Sequence, residues 1–228
     1  WGGMLNGLLT LRGAWDKVRE DPVLKFFVVA VTCYGMATFE GPLLATKTLN
    51  KIGHYTDWVI GHVHVGALGW NGFMTFGMVY FLLPILWRTK LWSVKLANWH
   101  FWLGTLGIIF YAVPLYISGF TQGLMWKQFN PDGTLVYKNW LDTVTAIIPY
   151  YQMRFVGGLL YIAGAILMVV NVVATVRQGS FQKEVPAEAP ALANVTKQRK
   201  EGEGLHLWLE RTPVLLTILS FVAVAIGG

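Results

Sequence analysis

The sequence predicts an all-α, polytopic transmembrane helix bundle, and three observations support this fold class. Apolar residues make up 54% of the chain and charged residues 13%, about half the charged fraction that is usual in soluble domains. Several apolar runs reach the roughly 20 residues that a helix needs to cross a hydrocarbon core about 30 Å thick. The 11 Trp and 9 Tyr residues suit the aromatic belts at the two membrane surfaces.

Four complete spans are expected after the end of an earlier one. Residues 1–11 are typical of the end of a span, and a turn follows. The complete spans are predicted at residues 23–46, 58–87, 97–121 and 151–176. Asp21 and Pro22 suit the N-terminus of the first, where the helix dipole and the unbonded N–H groups tolerate them. The second has about 30 residues, or roughly 45 Å of helix, and must tilt or extend beyond the hydrocarbon.

The connections and the tail have their own signals. Asn130-Pro131-Asp132-Gly133 predicts a turn at the tip of a hairpin between the third and fourth spans. Small residues in the fourth span predict close helix packing, namely Gly157, Gly158, Ala163, Gly164 and Ala165. The predicted organisation is helices over residues 1–177, a polar cytoplasmic linker over 178–204, and a truncated transmembrane helix over 205–228.

The positive charge is distributed as in a membrane protein and not as in a nucleic-acid-binding protein. The formal net charge is +6, but thirteen of the 18 Lys and Arg residues lie before or at the start of the first span, in the second loop, or after the fourth span. Because basic loops stay in the cytoplasm, this bias places the N-terminus and the even-numbered loops there. The loop at residues 47–57 would then face outward.

The most chemically specific stretch is Gly61-His62-Val63-His64-Val65-Gly66, at the start of the second span. Residues two apart on a helix point roughly 200° away from each other, so His62 and His64 cannot share one metal ion. They can serve two centres on opposite sides of the helix. Small residues would let flat groups approach the backbone: Gly61, Gly66, Ala67, Gly69 and Gly72. We interpret this segment as a helix between two haems.

Ionisable groups inside a membrane are costly and are therefore functional candidates. Histidine is a frequent axial ligand of haem iron, although a lone intramembrane histidine can also serve only as a hydrogen-bond partner for a neighbouring helix. Glu40 and His62 are predicted to lie within roughly 10 Å of the same membrane surface. Glu40 could accept the second N–H of a ligating imidazole, relay protons, or act only as a capping or interfacial carboxylate. Cys33 is expected to be a buried, inert thiol.

The remaining histidines are weaker candidates. His54, in the outer loop, is either an ordinary solvated residue or a partner for a haem propionate. His100 is predicted at the opposite end of the membrane from His64, roughly 35 Å away, and is expected to be an interfacial residue beside Trp99 and Trp102. No further histidine lies at the right depth to complete a six-coordinate haem. The missing ligand is therefore expected upstream of residue 1 or in another subunit.

Four segments closely resemble the catalytic subunit of cbb3-type cytochrome c oxidases, a branch of the haem-copper oxidases. They are residues 1–17, 36–42 (Met-Ala-Thr-Phe-Glu-Gly-Pro), 54–58 (His-Tyr-Thr-Asp-Trp) and 61–70 (Gly-His-Val-His-Val-Gly-Ala-Leu-Gly-Trp). The similarity covers about residues 1–178. It implies the fold of the C-terminal part of subunit I of these oxidases.

The resemblance also implies roles for four residues. His62 would be the proximal ligand of the high-spin haem b where oxygen is reduced, and His64 an axial ligand of the low-spin haem b. Glu40, the catalytic candidate, would hydrogen-bond the proximal histidine, and His54 would lie near the high-spin haem propionates. The ligands of copper B would lie upstream of this chain.

The resemblance implies a reaction and a setting. A terminal oxidase of this kind reduces oxygen to water with electrons from cytochrome c and couples this to proton translocation. Its partners would be other oxidase subunits, including membrane-anchored cytochromes c, in a bacterial inner membrane with the histidine pair near the periplasmic side. The alternatives are a nitric oxide reductase-like member of the same superfamily and a proton-coupled transporter without haem.

Residues 203–217 resemble the start of the membrane-anchored cytochrome c subunit of the same oxidases. With the linker before them, they predict a fusion of the catalytic subunit to the cytochrome c subunit. No Cys-x-x-Cys-His attachment motif is present in the sequence. No covalent haem is therefore assigned to this chain.

Overall fold

The computed structural model describes residues 2–183 and, nearer the C-terminus, positions 215, 218–219, 221–223 and 225–226. The chain divides into two units, Trp1–Glu184 and Val185–Gly228. In the second unit the described positions are helical. Most of the predicted linker and much of the predicted final transmembrane helix lie outside the described residues, and both stay predictions.

The first unit is a bundle of helices, as predicted. Its helices are α1 (Gly2–Leu9), α2 (Trp15–Glu20), α3 (Pro22–Ala45), α4 (Lys47–Gly53), α5 (Asp57–His64), α6 (Phe73–Leu86), α7 (Val94–Met125) and α8 (Trp140–Gln178). A π-helical segment, Val65–Gly72, joins α5 to α6. Among the described residues, four stretches are long and apolar enough to cross a membrane: Pro22–Ala45, Asp57–Leu86, Val94–Met125 and Trp140–Gln178. The four predicted spans are therefore confirmed.

Capping side chains set several helix boundaries. The Asp21 side chain accepts a hydrogen bond from the backbone N–H of Val23 at 2.8 Å, with Pro22 in the first turn of α3, as predicted. The fourth span begins earlier than predicted, at Trp140, because the Asn139 side chain caps α8 in the polar region before the apolar run. The length of the apolar run alone therefore gave a wrong start for the fourth span.

The two connections at the end of the bundle that holds His62 are partly ordered. The predicted loop at residues 47–57 contains the short helix α4, so the prediction of a simple loop was wrong. The predicted hairpin is present around one β-bridge between Phe129 and Leu135, with Gly133 at a φ of 80° in its turn. In that turn, the backbone N–H of Thr134 donates to Asp132 and lowers the pKa of its carboxyl.

The π-helical segment was not predicted. It begins directly after His64 and includes three glycines. The Tyr161 hydroxyl from α8 donates to the backbone carbonyl of Leu68 at 3.3 Å within this segment. Wide turns of this kind occur frequently at functional sites. Here the π-helical segment lies between α5, which carries the two histidines, and the regular helix α6.

Helices α7 and α8 pack at backbone distance through glycines. A Cβ added to Gly157 would lie 2.6 Å from the backbone N of Tyr111, and one added to Gly164 would lie 3.1 Å from the His100 ring. A Cβ on Gly158 would meet only the Tyr111 ring, at 3.8 Å, and Ala163 is exposed. The predicted close packing is therefore confirmed for Gly157 and Gly164 and is wrong for Gly158 and Ala163.

The prediction that His100 is interfacial was wrong. Its side chain is 1% exposed, in a core with Phe26 and Phe76, and its Nδ1 lies 3.0 Å from the Tyr80 hydroxyl. Trp99 and Trp102 are exposed on the other side of α7. The Tyr80 hydroxyl gives Nδ1 of this buried ring a hydrogen-bond partner, as is usual for buried polar groups.

Candidate functional site

The two histidines of α5 face different neighbouring helices. The Nδ1 of His62 lies 3.3 Å from a carboxylate oxygen of Glu40 in α3. The His64 ring stacks on Tyr111 of α7, with ring centroids 4.7 Å apart. The predicted placement on opposite sides of one helix is therefore confirmed.

Glu40 is surrounded by hydrogen-bond donors. Besides His62, the indole N–H of Trp58 and the hydroxyl of Tyr116, at 2.8 Å, donate to its carboxylate, whose side chain is 13% exposed. The predicted meeting of Glu40 and His62 is confirmed. Trp58 was missed, although it lies four residues before His62 and therefore on the same helix face. Tyr116 comes from α7, and no local pattern in the sequence links it to Glu40.

Each imidazole holds its Nδ1 against an oxygen atom of this chain. The Nδ1 of His62 points at the Glu40 carboxylate, and the Nδ1 of His64 lies 2.7 Å from the backbone carbonyl of Ile60. Since carboxylates and carbonyls accept hydrogen bonds, we assign Nδ1 as the donor in both contacts, and in a neutral ring this tautomer leaves the lone pair on Nε2. This is the arrangement in which a histidine binds a metal through Nε2 while its other N–H is held by the protein.

The sequence predicted that the small residues near the histidines let flat groups approach the helix backbone. The structure does not support this prediction for all of them. Three of them are covered by neighbouring helices: Gly61 by Tyr116, Gly69 by Cys33 and Gly72 by Tyr161. For these three the prediction was wrong, because the small residues make room for protein side chains. Among the described residues, a Cβ added to Gly66 would meet Ala37 at 3.8 Å, and Ala67 is exposed. Cys33 is buried, as predicted.

A buried carboxylate at the start of α5 was not predicted. Asp57 is 5% exposed, and one of its oxygens accepts hydrogen bonds from Ser118 at 2.6 Å, Gln122 at 3.1 Å and Tyr151 at 2.8 Å. The side-chain amide oxygen of Gln122 in turn accepts a hydrogen bond from the backbone N–H of Asp57 at 2.7 Å. These bonds tie the helix that carries both histidines to α7 and α8.

His54 lies apart from the pair. It follows the last residue of α4, and its ring packs against Tyr55, with centroids 4.0 Å apart. Tyr55 is 87% exposed and has a positive φ of 65°. Among the described residues, the His54 ring contacts Tyr55, and it makes no ring contact with His62 or His64. Its predicted contact with a haem propionate stays a prediction.

The described residues were also compared for clusters of side chains that could bind a metal ion together. Within residues 2–183 and the described C-terminal positions, no three His, Cys, Asp or Glu side chains are grouped closely enough to hold a metal ion. Among the described residues, neither imidazole is therefore part of a cluster of three or more such side chains.

Comparison with known sequences gives consistent matches. The sequence model of the family described as cytochrome C and quinol oxidase polypeptide I matches residues 1–160. A cytochrome c oxidase subunit 1 homolog from Agrobacterium tumefaciens (strain T37) is 51% identical over 84% of this chain and 36% of its own length. The Cbb3-type cytochrome c oxidase subunit CcoN1 from Stutzerimonas stutzeri is 46% identical over 86% of this chain and 40% of its own length.

A solved structure has the same fold. It is described as a heme-copper terminal oxidase dimer, and it matches with a TM-score of 0.55 and 20% identity over 77% of this chain and 32% of that chain. At this identity the similarity concerns the fold alone. The chain spans about a third of the length of the curated relatives named above.

Proposed function

The chain belongs to the family of cytochrome c and quinol oxidase polypeptide I, and from this membership we propose that it is part of the catalytic subunit of a cbb3-type cytochrome c oxidase. The complete protein reduces oxygen to water with electrons from cytochrome c and couples the reaction to proton translocation. The 46% identity to a cbb3-type subunit supports this branch of the family.

One observation carries the proposal. His62 and His64 lie on opposite sides of one helix, and each has its Nδ1–H held by an acceptor of this chain. Each ring therefore presents Nε2 to a separate centre. His62 would hold a high-spin haem b and His64 a low-spin haem b. When bound, these haems supply the redox-active iron that carries electrons to oxygen.

The surrounding residues would hold the two ligands in place. Trp58 and Tyr116 fix the Glu40 carboxylate, and Glu40 fixes the tautomer and orientation of His62 and increases its basicity as a ligand. Ile60 does the same for His64 through its carbonyl. Asp57 anchors the start of α5 against α7, so both rings keep their directions.

The setting follows from the same proposal. The protein lies in a bacterial inner membrane with the histidine pair near the periplasmic side, which the distribution of Lys and Arg supports. Copper B is held by ligands outside this chain, and His54 lies near the propionates of the high-spin haem. The partners are other oxidase subunits, including membrane-anchored cytochromes c.

A haem assay combined with oxygen uptake tests the proposal on the full-length membrane protein. We expect the pyridine haemochrome spectrum to show haem b and the purified complex to consume oxygen when supplied with reduced cytochrome c. Absence of haem b would contradict the proposal and favour the proton-coupled transporter. Turnover of nitric oxide without oxygen uptake would favour the nitric oxide reductase alternative.

Glu40→Gln is expected to alter the high-spin haem and slow turnover. The substitution removes the negative charge that faces His62, so the reduced iron is stabilised and its midpoint potential rises. Loss of such an outer hydrogen-bond partner typically costs about 10- to 100-fold in activity. Redox titration and oxygen uptake measure both effects, with Glu20→Gln at an exposed position as the matched control. Unchanged spectra and turnover in Glu40→Gln would remove this role.

A further inference from the structure

A groove between α3 and α7 combines two cations with apolar walls. Its volume is about 340 Å³, and Arg19 and Lys25 line it together with Val28, Val29 and Trp102. Lys25 lies in the first turn of α3, and Arg19 precedes it in α2. Val28 and Val29 follow along α3 toward the middle of the span. The groove therefore has positive charge at the end of the span and an apolar lining farther along it.

A second groove adjoins the first along α7. Its volume is about 440 Å³, and Lys95, Asn98 and Trp102 are among the residues that line it. Two features join the grooves, because Trp102 lines both and the Lys25 ammonium donates a hydrogen bond to the side-chain oxygen of Asn98. Arg19, Lys25 and Lys95 therefore surround one continuous region at the ends of α3 and α7.

These cations have no carboxylate partner among the described residues. The ion pairs within that part of the chain join Lys17 to Asp16 and His62 to Glu40. Of the neighbouring carboxylates, Asp21 caps α3, and Glu20 is exposed and belongs to neither ion pair. A lysine ammonium has three N–H donors and an arginine guanidinium has five. The hydrogen bond to Asn98 uses one of them, so most of these donors remain available to an anion.

An exposed apolar stripe on α7 continues from the grooves along the span. Trp102, Leu106, Ile109 and Val113 are exposed, and steps of four, three and four residues place them on one face of the helix. Between Lys95 and Val113 the sequence has no Asp, Glu, Lys or Arg. From Trp102 to Val113 the helix rises roughly 16 Å, close to half of a hydrocarbon core about 30 Å thick. The stripe thus matches one lipid acyl chain within one leaflet.

We propose that this surface binds an anionic phospholipid, with its phosphate among Arg19, Lys25 and Lys95 and an acyl chain along the stripe. Basic pockets between membrane helices on the cytoplasmic side bind such headgroups. The distribution of Lys and Arg predicts that this end of the bundle faces the cytoplasm. Three cations favour a lipid with a net negative charge over phosphatidylcholine, whose choline group is itself positive. A soluble phosphate ion would leave the stripe uncovered, so the occupant is a lipid.

Photolabelling of the full-length protein tests the proposal. The protein is placed in phosphatidylcholine vesicles that contain a trace of phosphatidylglycerol with a photoactivatable group on its acyl chain. We expect the label within the tryptic peptide 96–127, which has no internal Lys or Arg, on the stripe residues Trp102, Leu106 and Ile109. Arg19→Gln and Lys25→Gln should each lower this labelling about fivefold, the usual contribution of one basic residue to the binding of an anionic lipid surface.

Lys17→Gln is the matched control. Lys17 is an exposed residue of α2 that pairs with Asp16 and does not line the groove. Its replacement removes the same charge from the same end of the bundle and should leave the labelling unchanged. Wild-type labelling in both Arg19→Gln and Lys25→Gln would contradict the proposed headgroup site.

Two results with the wild-type protein would overturn the proposal. Equal labelling of peptide 96–127 by photoactivatable phosphatidylglycerol and phosphatidylcholine would show that the stripe contacts bulk lipid without selecting its charge. Absence of labelling by both lipids would show that another protein helix covers the stripe. Because this comparison needs no substitution, it decides the question even when a variant fails to assemble.

Discussion

Replacing His64 by alanine in the full-length protein is expected to abolish the low-spin haem while the high-spin haem remains bound. The two rings face different helices, so under the proposed function each Nε2 would serve a separate centre. Losing an outer hydrogen-bond partner of a metal ligand already costs about 10- to 100-fold, and losing the ligand itself should cost more. Oxygen uptake with reduced cytochrome c should therefore fall by at least about 100-fold.

His62→Ala is the matched counterpart on the same helix. It should remove the high-spin haem and retain the low-spin signal, because His64 keeps both Tyr111 and the Ile60 carbonyl. Absorption spectra of the reduced protein with and without carbon monoxide separate the two centres. If the same haem signal disappeared in both variants, the assignment of one centre to each face of α5 would be wrong.

Gly157→Ala and Gly158→Ala form a neighbouring pair with opposite expected effects on stability. At Gly157 the new methyl group would collide with the backbone of α7 at Tyr111 and Phe110. Overpacking of this kind typically costs about 1–3 kcal/mol, and backbone atoms cannot move aside as a flexible side chain can. At Gly158 the nearest atom is 3.8 Å away, so the helix gains up to about 1 kcal/mol from the better helix propensity of alanine.

Thermal unfolding of the full-length protein in detergent measures this difference. The unfolding midpoint should fall for Gly157→Ala and stay equal or rise for Gly158→Ala. The displacement of α7 should also alter the surroundings of His64 and Glu40, because Tyr111 and Tyr116 of α7 contact these residues. Equal midpoints for the two variants would contradict the close packing of α7 on α8.

Part of the site could be predicted because the relevant signals are local. The length of each apolar run determined the existence of the four spans, although polar caps such as Asn139 moved their ends. The helical period placed His62 and His64 on opposite faces. The depth of each residue within its span brought Glu40 and His62 to the same level, where the structure has them in contact.

The sequence by itself thus determined the membrane helices, the two-sided histidine pair and its carboxylate neighbour. Only the tertiary structure decided which side chains surround them: Tyr116 on Glu40, Tyr111 on His64, Ser118, Gln122 and Tyr151 on Asp57, and Tyr80 on His100. Those partners depend on which helices are neighbours and on how each is rotated about its axis. Close glycine contacts and hydrogen bonds between helices hold each helix in its rotation, and neither apolar length nor helical period contains that information.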